Sequence, residues 1–402
     1  MTLENSPLQQ PSYKYKSEPR MRILVTGGAG FIGSYIVDEL IRQGIEVVVI
    51  DSLENQVHHG RKPSYLNKSA EYHWAPLSDA GLLAKVLPDV DGVCHQAALV
   101  GVGQSMYDIA RYCDFSVQQT ALLMEKIIQH KNIRKLVVAS SMSVYGEGKY
   151  QDSGGRIVRP SDRLLHTRQG SFDLFDDEGQ QMTALPITED DHLSPYSIYG
   201  LTKLAQERIA IITGKTYDIP TVAFRYFGVY GRRQALSNPY AGLMALFAGR
   251  ILNGRAPLVF EDGRQTRDFI HVTDVARANV LALTTPDAPS GVYNLTCGVP
   301  VTVEEVADAL CQHLNPDVRP QITQKYRKGD IRHCFGDISK IKKQLHFTPQ
   351  TDIHAGLKDL ADWVADQNSH DLLHQMEEEL SQRYLLVDKA AFAGLEADAA
   401  AI

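Results

Sequence analysis

Residues 22–33 read RILVTGGAGFIG, an apolar run that ends in a cluster of glycines. The run Arg22–Thr26 predicts a buried parallel strand, because strands covered on both faces are continuously apolar. The pattern from Phe31 to Gln43 is typical of a helix, and Gly44 stands where a helix C-cap is expected. This stretch therefore predicts a strand, a tight turn and a helix in immediate succession.

The three glycines of this turn are spaced as in a dinucleotide-binding turn. Gly27 allows the tight turn, Gly30 allows the backbone to approach a pyrophosphate, and Gly33 allows close packing of helix on strand. The helix N-terminus adds unpaired N–H groups and the positive end of its dipole. A second apolar run, Glu46–Ile50, ends at Asp51, 18 residues after Gly33. A carboxylate there accepts hydrogen bonds from ribose hydroxyls and repels a 2′-phosphate, so we expect NAD rather than NADP.

Short apolar runs continue to alternate with helical patterns along the chain. The further strands are predicted at Gly92–His95, Lys135–Ser140 and Thr221–Arg225, and the further helices at Val117–His130 and Ser197–Ile212. Strands that alternate with helices predict right-handed βαβ units and a doubly wound parallel sheet, the α/β Rossmann class. After about Gly231 the patterns are more scattered, which predicts a smaller C-terminal α/β substrate-binding region.

The composition along the chain divides it further. The polar, proline-bearing residues 1–20 predict a disordered tail, followed by an NAD-binding domain over residues 21–225. Residues 226–368 are predicted to be mainly the substrate-binding region, and residues 369–402 a peripheral helix and tail. Residues 147–194 are rich in Gly, Asp, Arg, Gln and Ser and predict a long insertion. Because it leaves and re-enters at the predicted active-site edge, we expect a lid or specificity loop near the mouth of the site.

Composition and charge exclude several classes of protein. The net charge of −7 argues against a partner that is a nucleic acid or an anionic membrane. There is no apolar stretch of bilayer length and no secretory signal, so we expect a cytoplasmic protein. The five cysteines are odd in number and no two lie within four positions, which predicts reduced thiols and neither a disulfide framework nor a metal site.

A phenol and an ammonium group recur at helical spacing. Tyr199 and Lys203 lie four residues apart and share one helix face. The Lys203 cation and a positive nicotinamide ring would both lower the pKa of Tyr199, which would make it a usable general base, and Lys203 could also hold the nicotinamide ribose. Ser141 follows a predicted strand at the edge where parallel sheets bind ligands, and it is our candidate for holding the substrate oxygen, with Ser143 as the alternative.

Several motifs together resemble one family. The glycine turn, His95-Gln-Ala-Ala98, the run Ser140–Gly146 and the Tyr199/Lys203 pair resemble the extended short-chain dehydrogenases/reductases of the NAD-dependent epimerase/dehydratase family. The resemblance covers about residues 22–354. Within the family, the chain is most similar to the dTDP-L-rhamnose 4-epimerase group of nucleotide-sugar 4-epimerases. That finer resemblance is carried by the long insertion and by the segments Asp51–His58, Val100–Met106 and Arg233–Tyr240.

The resemblance implies roles for individual residues. The expected NAD contacts are Gly27, Gly30, Phe31, Ile32, Gly33, Asp51, Leu77, Ala97, Ala98, Ser140, Tyr199, Lys203 and Tyr226. The expected contacts to a dTDP-, UDP- or GDP-linked sugar are Ser143, Asn238, Arg267 and Arg327, with the two arginines holding the diphosphate. A homodimer is also implied.

The chain departs from the family pattern at a few positions. The family often has an acidic residue beside the adenine, where this chain has Ala75-Pro76-Leu77, and asparagines at the positions of Ser116 and Gly228. Related insertions carry a cysteine knuckle, but Phe175–Gly179 contains no cysteine, so no metal is implied.

The motifs favour transient oxidation at C4 of the sugar and return of the hydride to the opposite face. A dehydratase needs an acid–base pair after the catalytic hydroxyl, where Met142 and Ser143 stand, and a decarboxylase would have a glutamate in that run. A dehydrogenase or reductase that releases reduced cofactor is the enzymatic alternative. A non-catalytic NAD-binding protein would be expected to lose Tyr199 or Lys203.

Overall fold

The computed structural model describes most of the chain. The described residues are 21–168, 170–238, 240, 242–367, 371–389 and 391–392. The tail predicted at residues 1–20 lies outside them, as do residues 393–402. Within the described part, no helix has both the length and the apolar character needed to cross a membrane.

A parallel seven-stranded sheet forms the centre of the molecule, which confirms the predicted doubly wound α/β fold. Its strands are β1 (Arg22–Thr26), β2 (Glu46–Asp51), β3 (Glu71–Trp74), β4 (Gly92–His95), β5 (Lys135–Ser141), β9 (Thr221–Tyr226) and β13 (Gly291–Leu295). Their order across the sheet is β3-β2-β1-β4-β5-β9-β13. The chain reverses its direction of winding between β1 and β4, which is where doubly wound sheets open a ligand crevice. The seventh strand comes from the region predicted to bind mainly substrate.

Helices cover both faces of the sheet because its strands alternate their side chains between two apolar layers. On β1, Ile23 and Val25 point into one layer and Leu24 points into the other. The first layer contains helices α1 (Phe31–Arg42), α9 (Val272–Thr284) and α11 (Ser339–Leu345). The second contains helices α3 (Ala80–Val86), α6 (Gln119–Ile127) and α7 (Ile198–Thr216).

The predicted elements agree with the observed ones to within a few residues, with one exception. The helix expected at Val117–His130 starts earlier: α5 (Ile109–Cys113) leads into a π-helical turn at Asp114–Gln118, and α6 follows. Helix α7 begins after Ser197, whose hydroxyl accepts the N–H of Gly200 at 3.0 Å as an N-cap.

The remaining elements surround the carboxyl edge of the sheet. A four-stranded mixed sheet contains β10 (Gly228–Tyr230), β12 (Thr266–His271), β14 (Pro300–Thr302) and β17 (His333–Cys334). Two strand pairs join β11 (Leu258–Val259) to β15 (Gln321–Ile322), and β16 (Tyr326–Arg327) to β18 (Leu386–Val387). The other helices are α2 (Asn55–His58), α4 (Val102–Ser105), α8 (Leu243–Leu252), α10 (Val303–Leu314), α12 (Ile353–Val364) and α13 (Leu373–Gln382).

The insertion is folded. Strands β6 (Lys149–Gln151), β7 (Ile157–Val158) and β8 (Thr183–Leu185) form a small antiparallel sheet in the order β7-β6-β8. Tyr150, Leu174 and Met182 form a small core beneath it.

Candidate functional site

A single continuous cavity of about 560 Å³ opens at the carboxyl edge of the central sheet. Its walls include every residue predicted above for catalysis, cofactor binding or substrate binding. These are Gly27, Gly30, Phe31, Ile32, Gly33, Asp51, Leu77, Ala97, Ala98, Ser140, Ser141, Ser143, Tyr199, Lys203, Tyr226, Asn238, Arg267 and Arg327. The fold thus brings together residues that are up to 300 positions apart in the sequence.

The glycine turn has the geometry that its sequence predicts. Gly27 has a φ of +68°, and a Cβ on it would lie 3.0 Å from the Cα of Ala97. A Cβ on Gly33 would overlap the carbonyl oxygen of Gly27, so α1 packs on the turn only because residue 33 has no side chain. The N–H of Ala29 donates to the Asp51 carboxylate at 3.0 Å, which ties the turn to the end of β2.

These features fit a dinucleotide. The turn places its backbone at the N-terminus of α1, where N–H groups and the helix dipole favour a pyrophosphate. Asp51 is buried at the cavity wall, and its second oxygen accepts the N–H of Leu53 at 2.8 Å. A carboxylate oxygen can accept a further hydrogen bond, so Asp51 can still receive a ribose hydroxyl.

Tyr199 lies on the first turn of α7, opposite the end of β5. Its N–H donates to the Ser105 hydroxyl at 2.9 Å. Burial raises the pKa of Tyr199 above its usual value, and a hydrogen bond with the Ser141 hydroxyl partly offsets this. Among the protein groups, the cost of burying a phenolate is the largest effect on this pKa, and the predicted lowering by Lys203 together with a positive nicotinamide ring stays a prediction.

Lys203 lies one turn further along α7 and is almost fully buried. Burial lowers its pKa to about 7, and the nearby Glu207 carboxylate opposes this shift. Its Nζ donates a short hydrogen bond to the side-chain oxygen of Gln206. Lys203 thus titrates in the neutral range and has a neutral amide as its immediate partner.

Gln206 is a functional neighbour that motif spacing did not reveal. Its amide nitrogen lies 2.7 Å from His95 Nε2 and 3.1 Å from the Thr120 hydroxyl, while His95 Nδ1 lies 2.7 Å from the Thr26 hydroxyl. Burial lowers the pKa of His95 to about 3, so this ring is neutral. The network joins β1, β4, α6 and α7 beneath the catalytic pair.

A buried ion pair forms a second support below the site. Arg225 on β9 binds Glu207 on α7 through two hydrogen bonds of 2.8 and 2.9 Å. The Ser140 hydroxyl donates to the same carboxylate at 2.7 Å. Ser140 therefore lines the cavity and also links β5 to α7, although only the first role was predicted. Glu207 is next to Gln206 in the sequence. The Gln206 hydrogen-bond network and the Glu207 ion pair, which both hold α7 in place, therefore come from adjacent residues.

The two predicted diphosphate ligands belong to the smaller region. The guanidinium of Arg267 donates to the carbonyl oxygens of Ile331 at 2.7 Å and Arg332 at 3.0 Å. Arg327 pairs with Asp330 at 2.9 Å. Both arginines are part-buried in the cavity wall, and among the described residues the hydrogen bonds of Arg267 are to backbone carbonyl oxygens rather than to carboxylates.

Asn238 and Ser143 also have partners within the site. The Asn238 side-chain oxygen accepts from Gln56 Nε2 at 3.1 Å. The backbone N–H of Ser143 donates to the Ser141 hydroxyl at 3.2 Å, which helps to orient Ser141 toward Tyr199.

The departures from the family pattern have structural counterparts. A Cβ on Gly228 would lie 2.5 Å from the Phe269 ring, so the phenyl group occupies the space that a larger residue at 228 would need. The buried hydroxyl of Ser116 has no hydrogen-bond partner among the described residues. Pro76 lies in the cavity wall.

The insertion is anchored to the substrate region by buried charge pairs. None of its described residues lines the cavity. Its buried Arg163 pairs with Glu261 at 2.8 Å, and its Asp173 pairs with the fully buried Arg332 at 2.6 Å. These buried charge pairs tie the insertion to the substrate region, and its expected role as a lid or specificity loop stays a prediction. No cluster of metal-binding side chains occurs in the part of the chain that the structure describes.

Similar proteins are known by sequence and by structure. The profile described as "NAD dependent epimerase/dehydratase family" matches residues 23–168 and 169–296. The chain is 33% identical over 356 residues to the dTDP-L-rhamnose 4-epimerase of Burkholderia thailandensis, which covers 86% of this chain and 95% of that protein.

Two solved structures illustrate the likeness of fold. The UDP-N-acetylglucosamine 4-epimerase of Methanobrevibacter ruminantium, in complex with UDP-N-acetylmuramic acid, superposes with a TM-score of 0.72 at 30% identity and covers 87% of this chain and 99% of its own. The UDP-glucuronic acid 4-epimerase of Bacillus cereus, in complex with UDP-glucuronic acid and NAD, gives 0.71 at 27% identity and covers 86% and 99%.

Proposed function

The chain belongs to the NAD-dependent epimerase/dehydratase family, and we propose that it is a nucleotide-sugar 4-epimerase in which Tyr199, Ser141 and Lys203 perform the chemistry. The observation that carries this proposal is that one cavity contains the glycine turn, this catalytic group and two arginines suited to a diphosphate. Its sequence and structural relatives include 4-epimerases of dTDP- and UDP-linked sugars.

The cofactor and the catalytic residues have different proposed roles in the reaction. Gly27, Gly30, Gly33 and Asp51 would hold NAD, which when bound would supply a reversible acceptor for the C4 hydride. The Tyr199 phenolate takes the proton of the C4 hydroxyl and later returns it. The single Ser141 hydroxyl proton can be donated to the Tyr199 phenolate, which lowers the cost of the buried charge, and to the C4 oxygen once Tyr199 has taken the substrate proton.

Lys203 has two proposed tasks. In its protonated form it stabilises the phenolate electrostatically, and its ammonium group can hold the nicotinamide ribose. A Lys203 pKa of about 7 places the change in its charge close to working pH, where a small change of environment alters its charge.

We propose that Arg267 and Arg327 hold the diphosphate while the sugar turns over. A planar guanidinium binds phosphate oxygens through two parallel hydrogen bonds and stays charged throughout. A fixed diphosphate lets the 4-keto sugar rotate without leaving the cavity, so the hydride can return to the opposite face. The identity of the base and sugar remains a prediction limited to dTDP-, UDP- and GDP-linked sugars.

The test uses purified enzyme and a pair of C4-epimeric nucleotide sugars without added NADH. We expect interconversion with no build-up of reduced nicotinamide absorbance, and a loss of about 10³-fold in kcat for Tyr199→Phe, because the general base is removed. The matched control is Tyr217→Phe, the same change at the other end of α7 on an exposed side chain. Steady accumulation of reduced cofactor would instead identify a dehydrogenase, and full activity in Tyr199→Phe would exclude the proposed mechanism.

We also propose a cytoplasmic homodimer, as predicted from the sequence. Helices α5 and α7 expose the large apolar side chains Ile109, Leu201 and Ile212, between 48% and 62% accessible. An exposed apolar group of this kind supports association through these helices.

A further inference from the structure

The C-terminal segment, residues 371–389 and 391–392, contributes directly to the cavity wall. Leu373 in α13 lines the cavity. Leu373, Met376 and Leu380 are all buried, and they pack with Leu258 and Leu386 in one apolar cluster. The whole inner face of α13 is therefore covered by the substrate region, and its first turn reaches the cavity.

The same segment holds the strand that carries Arg327. Strand β18 pairs antiparallel with β16, with Arg327 opposite Leu386. The N–H of Lys328 donates to the carbonyl oxygen of Leu385 at 2.8 Å. Since β16 has only two residues, this pairing is a main determinant of where the Arg327 backbone lies.

The insertion and the last residues of the C-terminal segment also contact β16. Phe392 is fully buried, and its ring centroid lies 4.8 Å from that of Tyr326 and 5.0 Å from that of Phe172 in the insertion. The Arg163 guanidinium lies 5.2 Å from the centroid of the Tyr326 ring. The insertion and the C-terminal segment, distant in sequence, thus meet on the strand of one predicted diphosphate ligand.

A third contact fixes an aromatic side chain of the cavity. Glu379 on α13 accepts hydrogen bonds from Tyr240 at 2.7 Å and Tyr107 at 2.9 Å, and the two phenol oxygens are 2.6 Å apart. The hydrogen bond from Tyr240 lowers the pKa of Glu379, so the acceptor remains a carboxylate. Tyr240 lines the cavity, whereas Glu379 reaches it only through Tyr240.

The wall around these residues is apolar and aromatic. It contains Leu243, Met244, Leu258, Phe260, Leu373 and Tyr240. The Arg327 guanidinium lies 5.7 Å from the centroid of the Phe260 ring. An apolar aromatic wall beside a cation suits a flat base next to a phosphate, because the base stacks and the phosphate pairs.

We propose that the C-terminal segment is part of the nucleoside-binding site. Leu373 contacts the nucleoside and Glu379 is a positioning residue for Tyr240. Strand β18 supports the strand that carries Arg327. This inference rests on the proposed function, since it assigns the nucleotide half of that substrate. The segment lies beyond residue 296, where the family match ends.

The experiment measures UDP, dTDP and GDP binding by calorimetry to the NAD-containing enzyme, together with KM and kcat for the nucleotide sugar. We expect Leu373→Trp to weaken nucleoside diphosphate binding at least about 30-fold, because the indole fills the cavity. We expect Glu379→Ala to raise KM about tenfold with kcat within about twofold, and Glu379→Gln to keep most of the affinity because it retains an acceptor oxygen.

The control is Glu378→Ala, an identical change at the next position, where the side chain is exposed. Bound NAD and melting temperature establish that each variant is folded. Nucleoside diphosphate affinities equal to wild type in both Leu373→Trp and Glu379→Ala would overturn the inference, as would a wild-type enzyme that binds none of the three. If the wild type binds a nucleoside diphosphate but does not epimerise any nucleotide sugar, the proposed function is wrong. The assignment of the nucleoside site is then tested by the affinities of the variants alone.

Discussion

The cofactor half and the substrate half of the cavity are built in different ways. The glycine turn lies within residues 26–33, and its shape depends on backbone geometry and on one carboxylate, Asp51. The substrate half depends on side chains from distant segments: Arg267 is held by the carbonyl oxygens of Ile331 and Arg332, and Arg327 lies on strand β16, which pairs with β18. A phosphate at a helix N-terminus needs only local structure, whereas a site for a variable sugar nucleotide can be assembled from added segments. The two halves should therefore respond differently to mutation.

The largest effect is expected in the cofactor half. Gly33→Ala places a methyl group against the carbonyl oxygen of Gly27, and backbone cannot move aside cheaply there. We expect NAD affinity to fall at least about 100-fold, measured as bound nucleotide after purification and by titration.

Gly81→Ala is the matched control for that change. A Cβ on Gly81 would meet only the Asp79 side chain at 3.4 Å, and the residue lies in helix α3. Unchanged NAD content is expected there, and retention of NAD by Gly33→Ala would contradict the close-packing account of the turn.

A second effect, on stability and on the substrate half rather than on NAD binding, is expected from Arg332→Met. This fully buried guanidinium pairs with Asp173 and Asp262 at 2.6 Å and with Glu261 at 2.9 Å. Its removal takes the guanidinium partner from the part-buried Asp173 and Asp262 and leaves Glu261 paired with Arg163 alone, which costs about 3–5 kcal/mol in the free energy of unfolding. The KM for the nucleotide sugar should also rise, because loss of these ion pairs lets the backbone at residue 332 shift, and its carbonyl oxygen accepts a hydrogen bond from Arg267.

Chemical denaturation with a parallel measurement of bound NAD checks this prediction. Arg156→Met, which removes an exposed ion pair with Asp152, is the control and should leave the denaturation midpoint unchanged. Loss of NAD from natively folded Arg332→Met would show that the two halves are more tightly coupled than their construction suggests.

The smallest expected effect concerns the catalytic pair. Gln206→Leu removes the acceptor of the Lys203 ammonium, which disfavours the charged form and moves the pKa of Lys203 below about 7. If catalysis requires protonated Lys203, activity falls as the pH rises through the pKa of Lys203. In Gln206→Leu this fall should occur at a lower pH than in the wild type, and kcat near neutrality should be about tenfold lower.

Gln206→Glu should have the opposite sign, because a carboxylate favours the ammonium and raises the pKa of Lys203. A pH–kcat profile of both variants shows whether the pKa of Lys203 moves in opposite directions. Shifts in the same direction for both would show that Gln206 acts by packing rather than by its hydrogen bond to Lys203.

Tyr199 and Lys203 illustrate which properties of the site could be predicted from the sequence. Their spacing predicted correctly that both face one cavity with Ser141, because helix geometry is local. The same reasoning predicted a lowered Tyr199 pKa, whereas burial raises it, and burial depends on how distant segments pack. Gln206 was not identified because its importance comes from His95 and Thr120, more than 80 residues away.

The two added segments show the same limit. Composition identified residues 147–194 as an insertion, and amphipathic patterning placed a helix within 369–402, which the structure contains as α13. Neither pattern indicated that Phe172 and Phe392 would meet on Tyr326.

The amino-acid sequence alone determined the strand–turn–helix at residues 22–42 and the parallel doubly wound sheet, while the family resemblance supplied most of the residues that share the cavity. Backbone sterics, strand burial and helical periodicity are properties of neighbouring residues, so they can be derived from the order of the chain. Only the tertiary structure decided the partner of Lys203, the raised pKa of Tyr199, the position of the insertion and the place of the C-terminal segment. Each of these depends on which side chains exclude water around a group, and that is defined only when distant parts of the chain pack together.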